Sequence, residues 1–187
     1  MTPPLGKFTT KAKETIKRSH ELAIERGQNN VNALHLLAAL LVQEESNVIT
    51  LLDRMDIDSI LLTDSILEAI ENAEGQTTVA PSYQMFLTAD LAQVIEHALK
   101  VATELKDNFV STEHLFIALL DIKNQASELL SQFNINRKEL VQSALEYRNN
   151  KGADTAPDKK MRTLSKFTRN LTKLAKEDKL DPVIGRD

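Results

Sequence analysis

Residues 29–41 read NNVNALHLLAALL, and residues 108–120 read NFVSTEHLFIALL. The similarity extends without a gap from residues 8–41 onto residues 87–120, so that 79 residues separate each equivalent pair. Eleven of these 34 pairs are identical, where chance gives roughly two. The chain therefore contains two copies of one unit, each about 70 residues long, which is more than the usual period of a solenoid repeat.

The hydrophobic periodicity of each copy is that of short amphipathic helices. Within residues 9–26, small and apolar side chains recur on one helical face, and the second copy repeats this stripe. The chain has only five Gly and five Pro, which leaves little room for a turn-rich β architecture. We predict an all-α fold, a pseudo-twofold duplicated bundle of about eight helices in two four-helix units, followed by a C-terminal linker and helix.

Helix ends are marked at equivalent positions in both copies. Asn32 and Ser111 are good N-caps, and the helix after Asn32 is apolar almost all round, so we expect it to be buried. Thr9 and Thr88 most simply cap the opening helices. Gly27 stands where the first helix is expected to end in a left-handed residue.

Two further helices complete each copy, with the alignment now shifted by one residue. Asp58 and Asn136 are the predicted N-caps of the last helices, and Asn136 with Glu139 fits a capping box. The third and fourth helices are expected near residues 47–55 and 59–74 in the first copy and near residues 127–133 and 137–148 in the second.

Polar stretches that contain Gly and Pro divide the chain. Residues 75–86 connect the first copy, residues 8–74, to the second, residues 87–148. We predict one domain over residues 1–150 and a flexible linker over residues 151–161. After the linker comes a narrow apolar stripe with basic residues around it, which needs a partner surface and consists of Leu164, Phe167, Leu171 and Leu174.

The net charge of −4 is unevenly distributed. Residues 1–150 contain 13 Lys and Arg against 21 Asp and Glu, whereas residues 151–187 contain 10 against 6. An acidic body lacks the positive surface that a phosphate backbone requires, so we expect no nucleic-acid partner. The sequence has no Cys, no apolar N-terminal segment and no apolar run that could span a bilayer. We therefore expect a cytoplasmic protein with no membrane partner.

The motifs of nucleotide, hydrolase and zinc-protease sites are absent, since the sequence contains no GxxxxGK[ST], GxGxxG, GxSxG or HExxH. His35 and His114 are repeat equivalents, but a metal site needs three or four ligands and no second cluster is visible. Packing in the first helical turn, or exposure to solvent, is the preferred interpretation of these histidines. We predict no catalytic residue and no metal site, and we do not expect this chain by itself to be an enzyme.

Asp107 and Glu113 flank the loop that leads into the second buried helix. Glu113 is either a first-turn acid, which favours a helix N-terminus by about 0.3–1 kcal/mol, or a binding residue. The first copy has Gln28 and Leu34 at these two positions, without a charge, which argues against a purely structural requirement.

The duplicated helical unit, the linker and the terminal LDPVIGRD of residues 180–187 together resemble the N-terminal region of the Clp family of AAA+ protein unfoldases. The resemblance covers residues 8–150, as a double Clp N repeat, and residues 162–187, as the start of the first AAA+ module. It implies a longer protein, a homohexameric ATPase with ATP and magnesium as cofactors. This sequence ends before the Walker A loop, so we expect no cofactor in it. The segment that resembles the adenine-side contact is Val183, Ile184, Gly185 and Arg186.

Within that family, NALHLLAALL and LKDNFVSTEHLFIALL are most similar to the ring-forming disaggregase branch. The resemblance implies that Thr9, Asp107 and Glu113 bind unfolded or aggregated polypeptide, which then passes to the hexamer pore. A groove between the two copies is the expected place for such a client.

Two alternatives stay open. In the branch that docks adaptor proteins for ATP-dependent proteolysis, a Glu precedes the His of both copies and the pair recognises phosphoarginine. Here Glu113 fits that pattern, and Leu34 departs from it. A hypothesis from a different class is a free-standing helical scaffold that dimerises through residues 164–174.

Overall fold

The computed structural model describes residues 5–44, 46–73 and 86–151. The chain divides into two compact units, residues 1–146 and 147–187, and both copies of the repeat have their cores in the first. Lys151, the first residue of the predicted linker, is still helical, and the rest of the linker and the stripe after it lie outside the described residues. Within them, a 3-10 turn at Leu5–Lys7 precedes eight helices: α1 (Thr10–Glu25), α2 (Ala33–Val42), α3 (Asn47–Arg54), α4 (Ser59–Glu71), α5 (Ala89–Glu104), α6 (Thr112–Asp121), α7 (Gln125–Gln132) and α8 (Arg137–Lys151). The predicted all-α fold of two four-helix units is confirmed.

Helices α2 and α6 form the centre of the bundle. Every residue from Ala33 to Leu41 and from Thr112 to Leu119 is buried, and α2 packs against helices of both copies. Leu36, Leu40 and Phe116 are completely inaccessible to solvent. Each such side chain contributes roughly 1.5–3 kcal/mol of transfer free energy, so the repeated stretches at residues 29–41 and 108–120 supply the centre of the core.

Two short parallel pairings join the copies, and the sequence pattern did not predict them. Strand β1 (Asn30–Val31) pairs with β2 (Phe86–Leu87), and Phe8 forms an isolated parallel bridge with Val110. Phe8 and Leu87 are repeat equivalents, as are Val31 and Val110. The opening segment of each copy therefore pairs with the other copy, at the point between its first two helices. Pairings of one or two residues are too short to show a strand period in sequence.

The duplication extends to the backbone at the helix ends. Gly27 and its equivalent Lys106 both have left-handed backbones, with φ of 67° and 60°. Asp56 and its equivalent Asn134, beyond the one-residue shift, have φ of 55° and 58°. The predicted left-handed end at Gly27 is confirmed, and the second copy makes the same turn without a glycine.

The caps of the later helices agree only in part with the predictions. Asp58 accepts hydrogen bonds from the N–H groups of Ile60 and Leu61, as expected for the N-cap of α4. Asn136 accepts from the Glu139 N–H, but the described contacts contain no return bond from the Glu139 side chain, so the capping box there is wrong. Helix α7 begins at Gln125, before the expected residue 127, because Asn124 caps it and accepts from the Ser127 N–H over 2.8 Å.

Candidate functional site

The repeat-equivalent histidines occupy the same position in the first turn of α2 and α6. His35 Nδ1 accepts the backbone N–H of Asn32 over 3.1 Å, and His114 Nδ1 accepts that of Ser111 over 2.8 Å. Because Nδ1 is the acceptor, the proton of each neutral ring lies on Nε2. Both rings are buried, so packing in the first turn is confirmed and exposure to solvent is wrong.

The Nε2 atoms of these histidines have different surroundings. His114 Nε2 donates to Asp107 Oδ2 over 2.9 Å, and the Asp107 side chain is 33% exposed. The first copy has Gln28 in place of Asp107, and the Gln28 amide donates instead to the Ile70 carbonyl. Among the described residues, the buried Nε2 of His35 has no hydrogen-bond partner. Burial, with a smaller contribution from the positive charge of Arg26, lowers the pKa of His35 to about 4.

Glu113 is buried in the first turn of α6, with 4% of its surface exposed. Its Oε1 accepts a hydrogen bond of 2.8 Å from Nδ2 of Asn47, the first residue of α3. This bond joins the second copy to the first. The equivalent positions of the other half are Leu34 and Gln125, an apolar side chain and an amide, so the same bond cannot form there.

Thr9 lies where the segment before α1 meets the loop between α5 and α6. Its N–H donates to the Val110 carbonyl over 2.9 Å, and its Oγ1 accepts the Ala12 N–H over 3.2 Å, so the predicted cap of α1 is confirmed. Thr88 stands at the N-cap of α5, but its side chain accepts no cap bond and its buried Oγ1 has no partner among the described residues. The predicted side-chain cap at Thr88 is wrong, and a backbone bond of 3.0 Å to the Val31 carbonyl holds this segment instead.

Thr9, Asp107 and Glu113 thus belong to one joint between the copies, and each has a partner of its own. Sequence reasoning missed two residues there. Phe109, two residues after Asp107, is 56% exposed, and Asn47 is the partner of Glu113. The first copy has Asn30 at the position of Phe109, so an apolar residue at an otherwise polar repeat position was a usable signal. Asn47 had none, because 66 residues separate it from Glu113.

A groove between the copies is present, with a volume of about 570 Å³. It lies between the start of α2, the end of α4 and one face of α7. Thr9, Asp107 and Glu113 do not line it.

The remaining predictions about cofactors and metals concern other parts of the chain. Val183, Ile184, Gly185 and Arg186 lie outside the described residues, so ATP and magnesium stay a prediction for a longer protein. Within residues 5–44, 46–73 and 86–151, no three His, Cys, Asp or Glu side chains are grouped to hold a metal ion. The same part of the chain contains no helix long and apolar enough to cross a membrane.

The fold and the duplicated joint are those of a known family. The Clp repeat (R) N-terminal domain matches residues 7–133, and the chain belongs to this family. It is 35% identical to the chaperone protein ClpB 1 of Nostoc sp. over 183 residues, which are 97% of this chain and 20% of that protein. The chain thus spans about a fifth of the length of this curated relative. The predicted likeness to the ClpB chaperones is confirmed.

Solved structures show the same fold at lower identity. The Hsp104 N-terminal domain from Candida albicans superposes with a TM-score of 0.66 and 22% identity, over 76% of this chain and 91% of that one. A ClpV N-domain in complex with a VipB peptide superposes with a TM-score of 0.55 and 20% identity, over 75% of this chain and 91% of that one.

Proposed function

We propose that this chain is the client-recruiting N-terminal domain of a longer ClpB-like disaggregase. It binds unfolded or aggregated polypeptide at the joint site, which we define as Thr9, Asp107, Phe109 and Glu113. The observation that supports this most is the exposed Phe109 beside the partly exposed Asp107, where the two copies meet.

The chemistry of the joint site suits a reversible receptor for many sequences. An exposed aromatic ring offers apolar surface to any client, and a neighbouring carboxylate selects against acidic segments and favours basic ones. The bond from His114 Nε2 holds Asp107 in place, and the bond from Asn47 to the buried Glu113 holds α3 of the first copy against α6. Asp107 and Phe109 therefore contact the client, whereas Glu113 is a positioning residue.

The longer protein is proposed to be a cytoplasmic homohexamer that uses ATP and magnesium to thread the client through its pore. A domain tethered by a linker above a ring raises the local concentration of bound client at the pore without rigid docking. The ClpV N-domain complex supports a binding role, because in it a domain of similar fold holds a peptide.

Adaptor docking is the second candidate, and the Glu–His pair at Glu113 and His114 favours it. The paired phosphoarginine site of that branch lacks support, since Leu34 is apolar and Glu113 is buried against Asn47. If folded adaptors bind the joint site and unfolded clients do not, the second candidate replaces the first.

The test is fluorescence anisotropy with labelled casein as the unfolded client and the full chain as the receptor. Phe109→Ala is expected to weaken binding by roughly fivefold to thirtyfold, since loss of an aromatic anchor costs on the order of 1–2 kcal/mol. Phe86→Ala is the matched control, because Phe86 is 57% exposed on the other pairing between the copies. Equal losses in both variants, or no binding by the parent, contradict the proposal.

A further inference from the structure

The groove between the copies is separate from the joint site and has its own chemistry. Its apolar lining comes from the part-exposed Ala69, Ala73 and Leu129, with the buried Leu34 behind them. Along α7 its rim carries the exposed polar side chains of Gln125, Glu128 and Gln132. We call this feature the Leu34 groove.

The internal duplication relates the Leu34 groove to the joint site. Leu34 is the equivalent of Glu113, and Gln125 is the equivalent of Asn47. At the joint site the Asn47–Glu113 bond of 2.8 Å joins α3 to α6. At the matching place between α7 and α2 no such bond exists in the described residues, and an open cavity of about 570 Å³ remains.

The rim of the groove has unused hydrogen-bonding capacity. Among the described contacts, the side chains of Gln125, Gln132 and Glu128 make no hydrogen bond or ion pair. Primary amides offer both donors and acceptors, which suits the alternating N–H and C=O groups of an extended backbone regardless of its sequence. Glu128 is the one charged residue that lines the groove, so a ligand in the groove would place a cationic group beside it.

We propose that the Leu34 groove is a second polypeptide-binding site, which takes an extended segment with an apolar side chain on Ala69 and Leu129 and a Lys or Arg beside Glu128. In an extended chain, residues two apart point to the same side at a separation of about 6.6 Å. An apolar residue and a basic residue spaced i, i+2 therefore both face the groove. The inference rests on the proposed function for the class of ligand, an extended polypeptide, but it assigns that ligand to different residues.

The experiment is an NMR titration of the full chain with an N-acetylated, C-amidated decapeptide of Ser and Gly that contains one Leu and one Lys two residues apart. Saturable shifts are expected at Gln125, Glu128 and Gln132. Glu128→Lys is expected to weaken the binding of this peptide by roughly twofold to fivefold, the usual contribution of a partly exposed ion pair. The same variant is expected to bind more tightly to a peptide that has Glu in place of Lys. Glu96→Lys, the same charge change on the exposed surface of α5, is the matched control and leaves the affinities unchanged.

Filling the groove provides a test that does not depend on charge. Ala69→Phe, on the part-exposed face of α4, is expected to abolish the shifts along α7 while the rest of the spectrum reports an intact fold. Absence of shifts along α7 in the parent, or equal effects of Glu128→Lys and Glu96→Lys, overturns the proposal. If only the proposed function of the joint site is wrong, Phe109→Ala leaves casein binding unchanged, while the peptide still shifts the resonances of α7. The two failures are therefore distinguishable.

Discussion

Asn47 of the first copy donates a hydrogen bond of 2.8 Å to Glu113 of the second, and this bond joins α3 to α6 at one of two matching places between the copies. The other place has Leu34 and Gln125 and stays open. The backbone of the duplicated unit is thus retained while the side chains at these two places differ. At one place the Asn47–Glu113 bond joins the copies, and at the other they leave a groove.

The Asn47–Glu113 bond is expected to stabilise the fold. Asn47→Ala removes a donor from the buried carboxylate of Glu113, which should lower the free energy of unfolding by about 1–3 kcal/mol. The control is Gln125→Ala at the equivalent, exposed position, where a change within about 0.5 kcal/mol is expected. Urea unfolding measures both. If the two variants lose the same stability, the bond has no special role.

Gly27 ends α1 in a left-handed conformation, with φ of 67°. No heavy atom lies within 4 Å of the place where a Cβ would stand, so the cost of Gly27→Ala comes from the backbone alone. We expect a loss of about 1 kcal/mol. Gly6→Ala is the control, since its Cβ also meets nothing within 4 Å and its φ is not positive. A loss at Gly6 as large as that at Gly27 would contradict this explanation.

Lys106 occupies the equivalent position in the second copy, with φ of 60°. Replacing it by Gly relieves the left-handed strain at some cost in chain entropy, so Lys106→Gly should be neutral or stabilising by up to about 1 kcal/mol. A shift of the urea midpoint with an unchanged slope measures this gain. A clear loss of stability would show that the Lys106 side chain contributes a contact that outweighs the backbone strain.

His35 makes the stability depend on pH. Its pKa falls from 6.5 to about 4 on folding, so between these values the unfolded chain binds a proton that the native chain does not. The contribution of neutral His35 to the free energy of unfolding is therefore full above pH 6.5 and falls as the pH drops towards 4. The expected loss between pH 7 and pH 5 is about 2 kcal/mol. In His35→Asn, the amide oxygen can still accept the Asn32 N–H. This variant should lose less stability than the parent over that range, and equal losses would contradict the assignment.

Asp107 accepts a hydrogen bond from His114, so the choice of substitution at this position also affects the stability of the fold. Asp107→Asn keeps an oxygen for the His114 Nε2–H and should cost less than about 1 kcal/mol, whereas Asp107→Ala removes this hydrogen bond to a buried ring and should cost about 1–3 kcal/mol. Thermal unfolding separates the two. Asn is then the variant for binding studies, because it removes the charge and leaves the joint intact. Equal losses with Asn and Ala would mean that charge, and not hydrogen bonding, holds His114.

The helices were predictable because their signals are local. Periodic apolar residues and an N-cap such as Asn32 or Asp58 act within one or two turns, and similar patterns occur at equivalent positions in both copies. The joint between the copies was not predictable in the same way. Its parallel pairings involve one or two residues each, and the Asn47–Glu113 bond joins residues 66 apart. The failed cap at Thr88 shows how such a long-range pairing replaces a local one.

The binding residues illustrate the same division. Thr9, Asp107 and Glu113 were named from a family resemblance, and the structure distinguishes an accessible carboxylate at Asp107 from a buried one at Glu113. The sequence around Glu113 does not show its burial, because its partner Asn47 lies on α3 of the other copy, 66 residues away.

The central claim is that unfolded polypeptide binds at the joint site, and an NMR titration of the full chain with casein tests it most directly. We predict saturable shifts at Thr9, Asp107, Phe109 and Val110, weakened in Asp107→Asn and in Phe109→Ala while both variants stay folded. Shifts confined to the α7 face of the Leu34 groove would contradict the claim and would support only the second polypeptide-binding site. No shifts at saturating client would exclude the joint site as a receptor for unfolded chains.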